Sequence, residues 1–292
     1  MTKIAKVWDA ADGSGTPGRV FTASIAQEVI PAMGKRLDFL KMGVKGAVST
    51  AAVVIETFAG LISPFTLRKG AANRIVLALD ELCALSVYYY RSHFVAIGEN
   101  TDATGNDFIG NIRIPVNDDF DPANQFLISA DRVAQTNIAT ETVSLTSYAD
   151  YESEARKPVH AVRIQHTTSG TAGIEQMQSK IPAVGILKAL ILKVPNGFAD
   201  GNVDTSIQRL KIYDDMQVVA EFNDLGDAEN YSILDYVTPG PQADLFRQFR
   251  VFNLGDNGLD ATKGTLSYAF DVQDVSDAVV IIPVLDITVA GA

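Results

Sequence analysis

The three histidines of the 292-residue chain are the first place to look for chemistry, and their spacing does not bring them together. His93 stands alone, and His160 and His166 are six residues apart with no cysteine near them. That pair lacks the one-turn helical spacing that sets two imidazoles on one metal ion. His160 falls on the apolar side of an alternating run and reads as a core histidine with its polar atoms satisfied. Gly13-Ser14-Gly15-Thr16-Pro17-Gly18 is a literal Gly-x-Gly-x-x-Gly, with Asp38 twenty residues beyond it. A dinucleotide site needs such glycines between a buried parallel strand and a helix whose amino terminus meets the pyrophosphate. Here Asp9-Ala10-Ala11-Asp12 precedes them and no strand–helix–strand alternation follows, so the segment reads as a hinge.

Asp118, Asp119 and Asp121 offer the oxygens calcium takes, but Phe120 and Pro122 interrupt them and no glutamate closes a twelve-residue loop. They read as a solvated turn. Tyr88-Tyr89-Tyr90 suggests a sugar platform; in a strand, however, the middle ring faces away from its neighbours, which favours core and interface packing. Cys83 is the single cysteine and lies in an apolar run, so no disulfide forms within the chain. There is no Gly-x-Ser-x-Gly elbow, Walker loop or Cys-x-x-Cys. The sequence therefore assigns no catalytic residue, no cofactor and no metal site, and the chain reads as a non-enzyme.

The elements around these residues are mostly short strands. Leu266, Tyr268, Phe270 and Val272 alternate with Ser267, Ala269, Asp271 and Gln273, the mark of a half-buried strand. The same period of two appears at Ile112-Ile114-Val116, His160-Val162-Ile164, Leu210-Ile212 and Leu285-Ile287-Val289. Between the runs lie turn formers: Gly105-Asn106-Asp107, Asn117-Asp118-Asp119, Asn196-Gly197, Asp200-Gly201 and Asp256-Asn257-Gly258. Helical signals are brief, the best being Asp227–Tyr236 and Gln242–Phe249. With 47% hydrophobic residues and a mean hydropathy of +0.11, the chain has enough apolar surface to fold. The longest apolar stretches, 47–62 and 278–289, contain Glu56, or Pro283 and Asp286, and fall short of the roughly 18–20 residues of a membrane span. Met1–Lys6 lacks the apolar centre of a signal peptide, so the protein is expected to start in a cytoplasm. Many short strands joined by tight turns read as a sandwich or jelly roll.

Charge is unevenly distributed. Residues 1–70 hold 9 basic and 5 acidic side chains, whereas the rest hold 15 basic and 30 acidic. The acidic body disfavours sequence-specific nucleic-acid binding, and only the first quarter suits an anionic surface. Lys3, Lys6 and Trp8 sit in that quarter, on an amino-terminal arm suited to an anionic lipid interface or to a neighbouring subunit.

An internal repeat gives the organisation. Ile30-Pro31-Ala32-Met33-Gly34 and Ile181-Pro182-Ala183-Val184-Gly185 lie 151 residues apart, each before a strand-like run. Downstream, Ile75–Leu79, Asp80-Glu81 and Leu82–Tyr90 parallel Leu210–Tyr213, Asp214-Asp215 and Met216–Phe222, both reading as strand, acidic turn, strand. Each half closes on a β-rich segment, Glu141–Tyr151 or Ala278–Val289. The expected division is an arm and lead-in at 1–29, a first roll at 30–166, a small polar linker at 167–173 and a second roll at 174–292. Two repeats are too few for a solenoid, so each half needs its own core. The fold class is all-β: two tandem jelly-roll barrels or sandwiches with short helices in loops.

On these residues the chain resembles the double jelly-roll major capsid proteins of tailless icosahedral viruses, the adenovirus-type lineage that includes lipid-containing bacteriophages. The resemblance covers about residues 20–292. It implies a virion protein assembled in the host cytoplasm, three copies of which form a pseudo-hexameric trimer, with trimers tiling a shell over an internal membrane. Its partners would be further copies of itself, penton, spike and minor capsid proteins, and the viral membrane. The alternative is a two-domain β-sandwich spike module that binds a receptor or carbohydrate.

Overall fold

The alternating runs form strands because one side of each pleat has apolar partners to meet. The computed structural model describes residues 1–8, 19–48, 59–91, 96–98, 106–135, 138–152, 156–167, 174–194, 207–223, 246, 248–272 and 278–288. These divide into two compact units, one up to Val159 and the other from His160 onward.

The first unit holds β1 (Lys3–Trp8), β2 (Arg19–Val20), β3 (Ile25–Val29), β4 (Arg36–Val48), β5 (Ile62–Lys69), β6 (Ala72–Leu77), α1 (Leu79–Tyr90), β7 (Ala96–Gly98), β8 (Asn106–Asp119), β9 (Phe126–Arg132) and β10 (Ile138–Ala149). Strands β1, β10, β4, β8 and β7 lie side by side in that order, with β2 also on β10. A second row runs β3, β9, β5, β6. All of these pairings are antiparallel. Strand β11 (Val159–Val162) begins at the division.

The second unit holds β12 (Ile164–Thr167), β13 (Ile174–Lys180), β14 (Gly185–Lys193), β15 (Ile207–Asp214), β16 (Gln217–Phe222), β17 (Phe249–Asn253), β18 (Leu259–Asp260), β19 (Leu266–Val272) and β20 (Ala278–Ile287). Its rows are β12, β20, β14, β17, with β18 also on β14, and β13, β19, β15, β16. The wiring of the first unit is thus repeated strand for strand: β1, β10, β4, β8 answers to β12, β20, β14, β17, and β3, β9, β5, β6 to β13, β19, β15, β16. Eight antiparallel strands crossing between two sheets in this order make a jelly roll, and the chain contains it twice.

The repeated pentapeptide does the same work in both units. Ile30 donates its backbone N–H to Phe126 at the start of β9, and Ile181 donates to Leu266 at the start of β19, each at 2.9 Å. Both side chains are buried. The next hairpins match too. Gly70 between β5 and β6 donates to Gln125, and Asp215 between β15 and β16 donates to Thr265, with φ of +57° and +54°.

The acidic turn at 214–215 therefore corresponds to Lys69-Gly70, and the expected pairing with Asp80-Glu81 is one element out of phase. Asp80 and Glu81 instead open α1, so Leu82–Tyr90 is helix where a strand was expected. Two carboxylates in a first turn favour a helix, and Glu81 accepts the Ala78 N–H at 2.8 Å. Leu79, Leu82, Cys83, Ala84, Leu85 and Val87 are buried around the helix, so no one-sided period betrays it.

Other expectations shift in detail. β12 pairs with β20, so Ile164–Thr167 opens the second roll and does not close the first. Asn117-Asp118-Asp119 stays within β8, where Asn117 takes a φ of +52°. On β19 the alternate side is buried as well at Ser267 and Ala269. The Asp256–Gly258 turn is present, with Gly258 at φ +60°. Residues 196–201, 227–236 and most of 242–249 and the 167–173 linker lie outside the described residues, although Phe249 opens β17.

Each unit has its own core. In the second, Leu187, Leu190 and Leu192 of β14 meet Leu210 and Ile212 of β15, Phe252, Tyr268, Phe270 and Ile281. In the first, Leu40, Met42 and Val44 of β4 share the interior with Ile112, Ile114, Leu145, Phe65 and Ile128.

Candidate functional site

The first unit carries a cationic row on the outer side of its six-strand sheet. Leu40 and Met42 point into the core, so Lys41 between them points out. Strand register sets Lys41 opposite Thr146, Thr146 opposite Lys6 and, on the other side, Lys41 opposite Arg113. Directly opposed residues share a face, so three cations and a hydroxyl line up across β1, β10, β4 and β8. Beside this row is a groove of about 350 Å³ lined by Lys6, Lys41, Asn111, Ser144, Thr146 and Tyr148. Gly43 and Gly110 also line it. A Cβ at Gly43 would stand 3.0 Å from the Ser144 hydroxyl and 3.9 Å from the Gly110 Cα, so the absence of side chains there opens the depression.

Lys41 and Arg113 are like charges on adjacent strands, an arrangement that costs stability unless one is diverted or an anion intervenes. Arg113 is diverted: its guanidinium lies over the Phe39 ring at 4.9 Å and the Tyr90 ring at 5.7 Å. Phe39 stacks on Tyr148 at 4.5 Å and meets Tyr151 edge-on at 5.3 Å. Tyr89 and Tyr90 come from the last turn of α1, and Arg156 lies over both rings. The expectation that Tyr88-Tyr89-Tyr90 serves packing agrees with the placement of Tyr89 and Tyr90, on a helix and not on a strand; Tyr89 accepts a hydrogen bond from Asn117 Nδ2 at 2.9 Å. Burial and the Glu152 carboxylate push the Tyr90 hydroxyl far above its ordinary pKa, so it stays neutral.

The arm residues are placed unequally. Lys3 and Lys6 are exposed on β1, which pairs with β10 and is a strand of the first roll. Trp8 is 2% exposed, edge-on to Phe65 at 6.1 Å, with Nε1 donating to Glu28 at 3.2 Å. Its role at a lipid surface is corrected on that ground: the indole is core, because a shift in register between Lys6 and Trp8 turns it inward opposite Leu145.

The remaining candidates are engaged in structure. Asp38 is fully buried and accepts from Arg36 Nε at 2.6 Å and from the backbone of Tyr151 and Glu152, which ties down the chain leaving β10. The glycines of the Gly-x-Gly-x-x-Gly segment, and His93, lie outside the described residues. Asp118 is buried between Lys69 at 2.7 Å and Arg74 at 3.3 Å, so the solvated-turn reading fails for it. Asp121 accepts from Ala123 and Asn124 in a local turn, which holds its carboxyl below the usual range. Among the described residues no group of three or more His, Cys, Asp or Glu side chains is placed to hold a metal ion. His160 is buried, but Ala161 is buried as well and Val162 and Ile164 are half-buried, so the alternation expected over 160–165 is not kept. His166 is buried too, with Nε2 2.5 Å from the Tyr268 hydroxyl and its ring edge-on to Phe270. The Cys83 thiol is pushed up by burial and by Asp80.

Lys41, Arg113, Gly43 and Gly110 were not singled out from the sequence. Glycines within strand-like runs are the one local signal; the row itself depends on pairing residues about a hundred positions apart.

Two eight-stranded rolls in tandem define the class: the chain is a double jelly-roll protein. No protein-family model matches the sequence, and no curated protein matches it. Solved structures match over the whole chain. The major capsid protein of Sulfolobus turreted icosahedral virus superposes with a TM-score of 0.71 at 15% identity, covering 100% of both chains. The major capsid protein of bacteriophage PM2 gives 0.60 at 10% identity, again over 100% of both. The Faustovirus major capsid protein gives 0.53 at 9% identity, over 99% of this chain and 90% of that one. At these identities the likeness is one of fold.

Proposed function

We propose that the chain is a structural capsid subunit that works by self-assembly and carries out no catalysis. The observation that carries this reading is the strand-for-strand repetition of one roll within one chain, in a fold shared end to end with viral major capsid proteins. A subunit built of two similar rolls presents two similar sets of edges, so a ring of three copies has a six-sided outline that fills hexagonal positions of a curved lattice. In this reading trimers tile an icosahedral virion shell over an internal membrane, with penton, spike and minor capsid proteins as further neighbours, and assembly takes place in the host cytoplasm. The exposed lysines of β1, Lys3 and Lys6, belong to contacts outside the chain's own roll.

Light scattering of the purified chain, followed by negative-stain images, tests the reading. A mass three times 31.4 kDa with a hexagonal outline is the expected result. A chain that stays monomeric at high concentration overturns it in favour of the binding module, to be tried next against glycans and calcium.

A further inference from the structure

We propose that the glycine-floored groove on the first unit receives the acidic hairpin tip Asp214-Asp215-Met216 of a second copy of this chain. The inference rests on the self-assembly reading above and names the contact within it. The groove side is built: Lys41 points out of the sheet between core residues, Thr146 and then Lys6 follow in register, and Gly43 and Gly110 leave room between strands. Lys6 and Lys41 are two strands apart, roughly 10 Å, so one carboxylate above Thr146 reaches both. Arg113, opposite Lys41 on β8, is turned onto the Phe39 and Tyr90 rings, which leaves Lys6 and Lys41 as the cations on either side of Thr146.

Charge complementarity selects the occupant. Residues beyond 70 carry 30 acidic side chains against 15 basic, so the commonest charged surface a second copy can offer is carboxylate. The β15–β16 turn presents it in a protruding form. Asp215 is exposed, Met216 beside it is 93% exposed, and Val218 and Val219 are 47% and 43% exposed on the following strand. A large apolar side chain fully in water beside two carboxylates fits a depression that has lysines on its rim and the Tyr148 ring and two glycines within. The tip belongs to the second roll and the groove to the first, so the contact is heterologous: each copy gives one and receives one, and repetition makes a ring where the rotation between copies closes.

A charge-swap cycle tests this by sedimentation velocity on the full chain. Lys41→Glu and, separately, Asp215→Lys are each expected to raise the dissociation constant of the oligomer about thirtyfold or more, as loss of a close interfacial charge pair does. The double variant K41E/D215K is expected to recover most of that loss. Far-ultraviolet circular dichroism confirms that each variant keeps its strands, and Asp215→Lys tests the contact from a residue of the second roll. A wild-type oligomer that Lys41→Glu leaves intact overturns this contact alone, as does a double variant no tighter than its singles. A wild-type chain that remains monomeric overturns the contact together with the assembly reading. If Lys41→Glu instead abolishes binding of the chain to anionic phospholipid vesicles while the oligomer persists, the groove serves lipid headgroups and the proposal falls.

Discussion

His166 shows how one residue couples a jelly-roll core to pH. Its ring lies between Tyr268 and Phe270, and burial there lowers its pKa below the ordinary value of 6.5. The folded chain therefore keeps the imidazole neutral at a pH where the unfolded chain has already taken up a proton. Stability from this group is complete above the unfolded value and is lost as pH falls from there toward the lowered folded value. Tyr268 does not compete, because burial raises its own pKa and holds it neutral throughout. The expected outcome is a melting temperature that declines between about pH 7 and pH 5 in the wild type, with a contribution from this site of less than one proton. His166→Gln keeps a polar atom near Tyr268 but does not titrate. Its decline should be shallower in calorimetry across the same range, and a slope equal to wild type would assign the titration elsewhere. The spacing of His160 and His166 gave no metal-ligand pattern and could not reveal that His166 meets Tyr268, a contact between residues 102 apart.

At the scale of elements, the repeated pentapeptide was legible because its chemistry is local: an isoleucine to bury, a proline to hold the chain extended, and a glycine where the closing strand passes. That last requirement is stricter in the second roll. A Cβ on Gly185 would lie 1.8 Å from the Asp286 carbonyl oxygen and 2.9 Å from the Ile287 Cα, all backbone of β20. At Gly34 the nearest atom is the end of the Asp150 side chain, at 2.4 Å, which can swing away. The same substitution should therefore differ in cost. Gly185→Ala must part β14 from β20 and is expected to destabilise by about 3 kcal/mol or more, at the upper end of overpacking. Gly34→Ala displaces only the carboxylate that accepts the Lys35 and Arg36 N–H groups, and about 1 kcal/mol is expected. Urea unfolding followed by circular dichroism gives both values, and equal losses would refute the argument. What the sequence concealed at this scale was α1, whose apolar residues surround its axis, and the phase of the hairpin repeat, where Gly70 and Asp215 share a conformation but not a residue type.

For the whole molecule, the two-roll architecture was readable from the repeat, whereas the cationic row was not, since it exists only once β1, β10, β4 and β8 lie in register. On the self-assembly proposed above, that row and the net charge of −11 would act in opposite directions. Copies bearing the same net charge repel over a distance set by the Debye length, about 30 Å at 0.01 M salt and about 8 Å at 0.15 M. Raising salt across that range removes long-range repulsion and should promote association. The contact between a lysine-rimmed groove and an acidic tip is short-ranged, and salt screens it only when the Debye length approaches the ion-pair distance, about 3 Å at 1 M. Association should thus be weakest at the lowest salt, strengthen toward physiological ionic strength, and weaken again toward 1 M. Light scattering at fixed protein concentration reads this as a mass that rises and then falls. A steady fall from the lowest salt would mean that attraction between opposite charges governs the encounter at every distance. A steady rise to 1 M would mean that apolar surface such as Met216, Val218 and Val219 holds the copies together without help from the lysines.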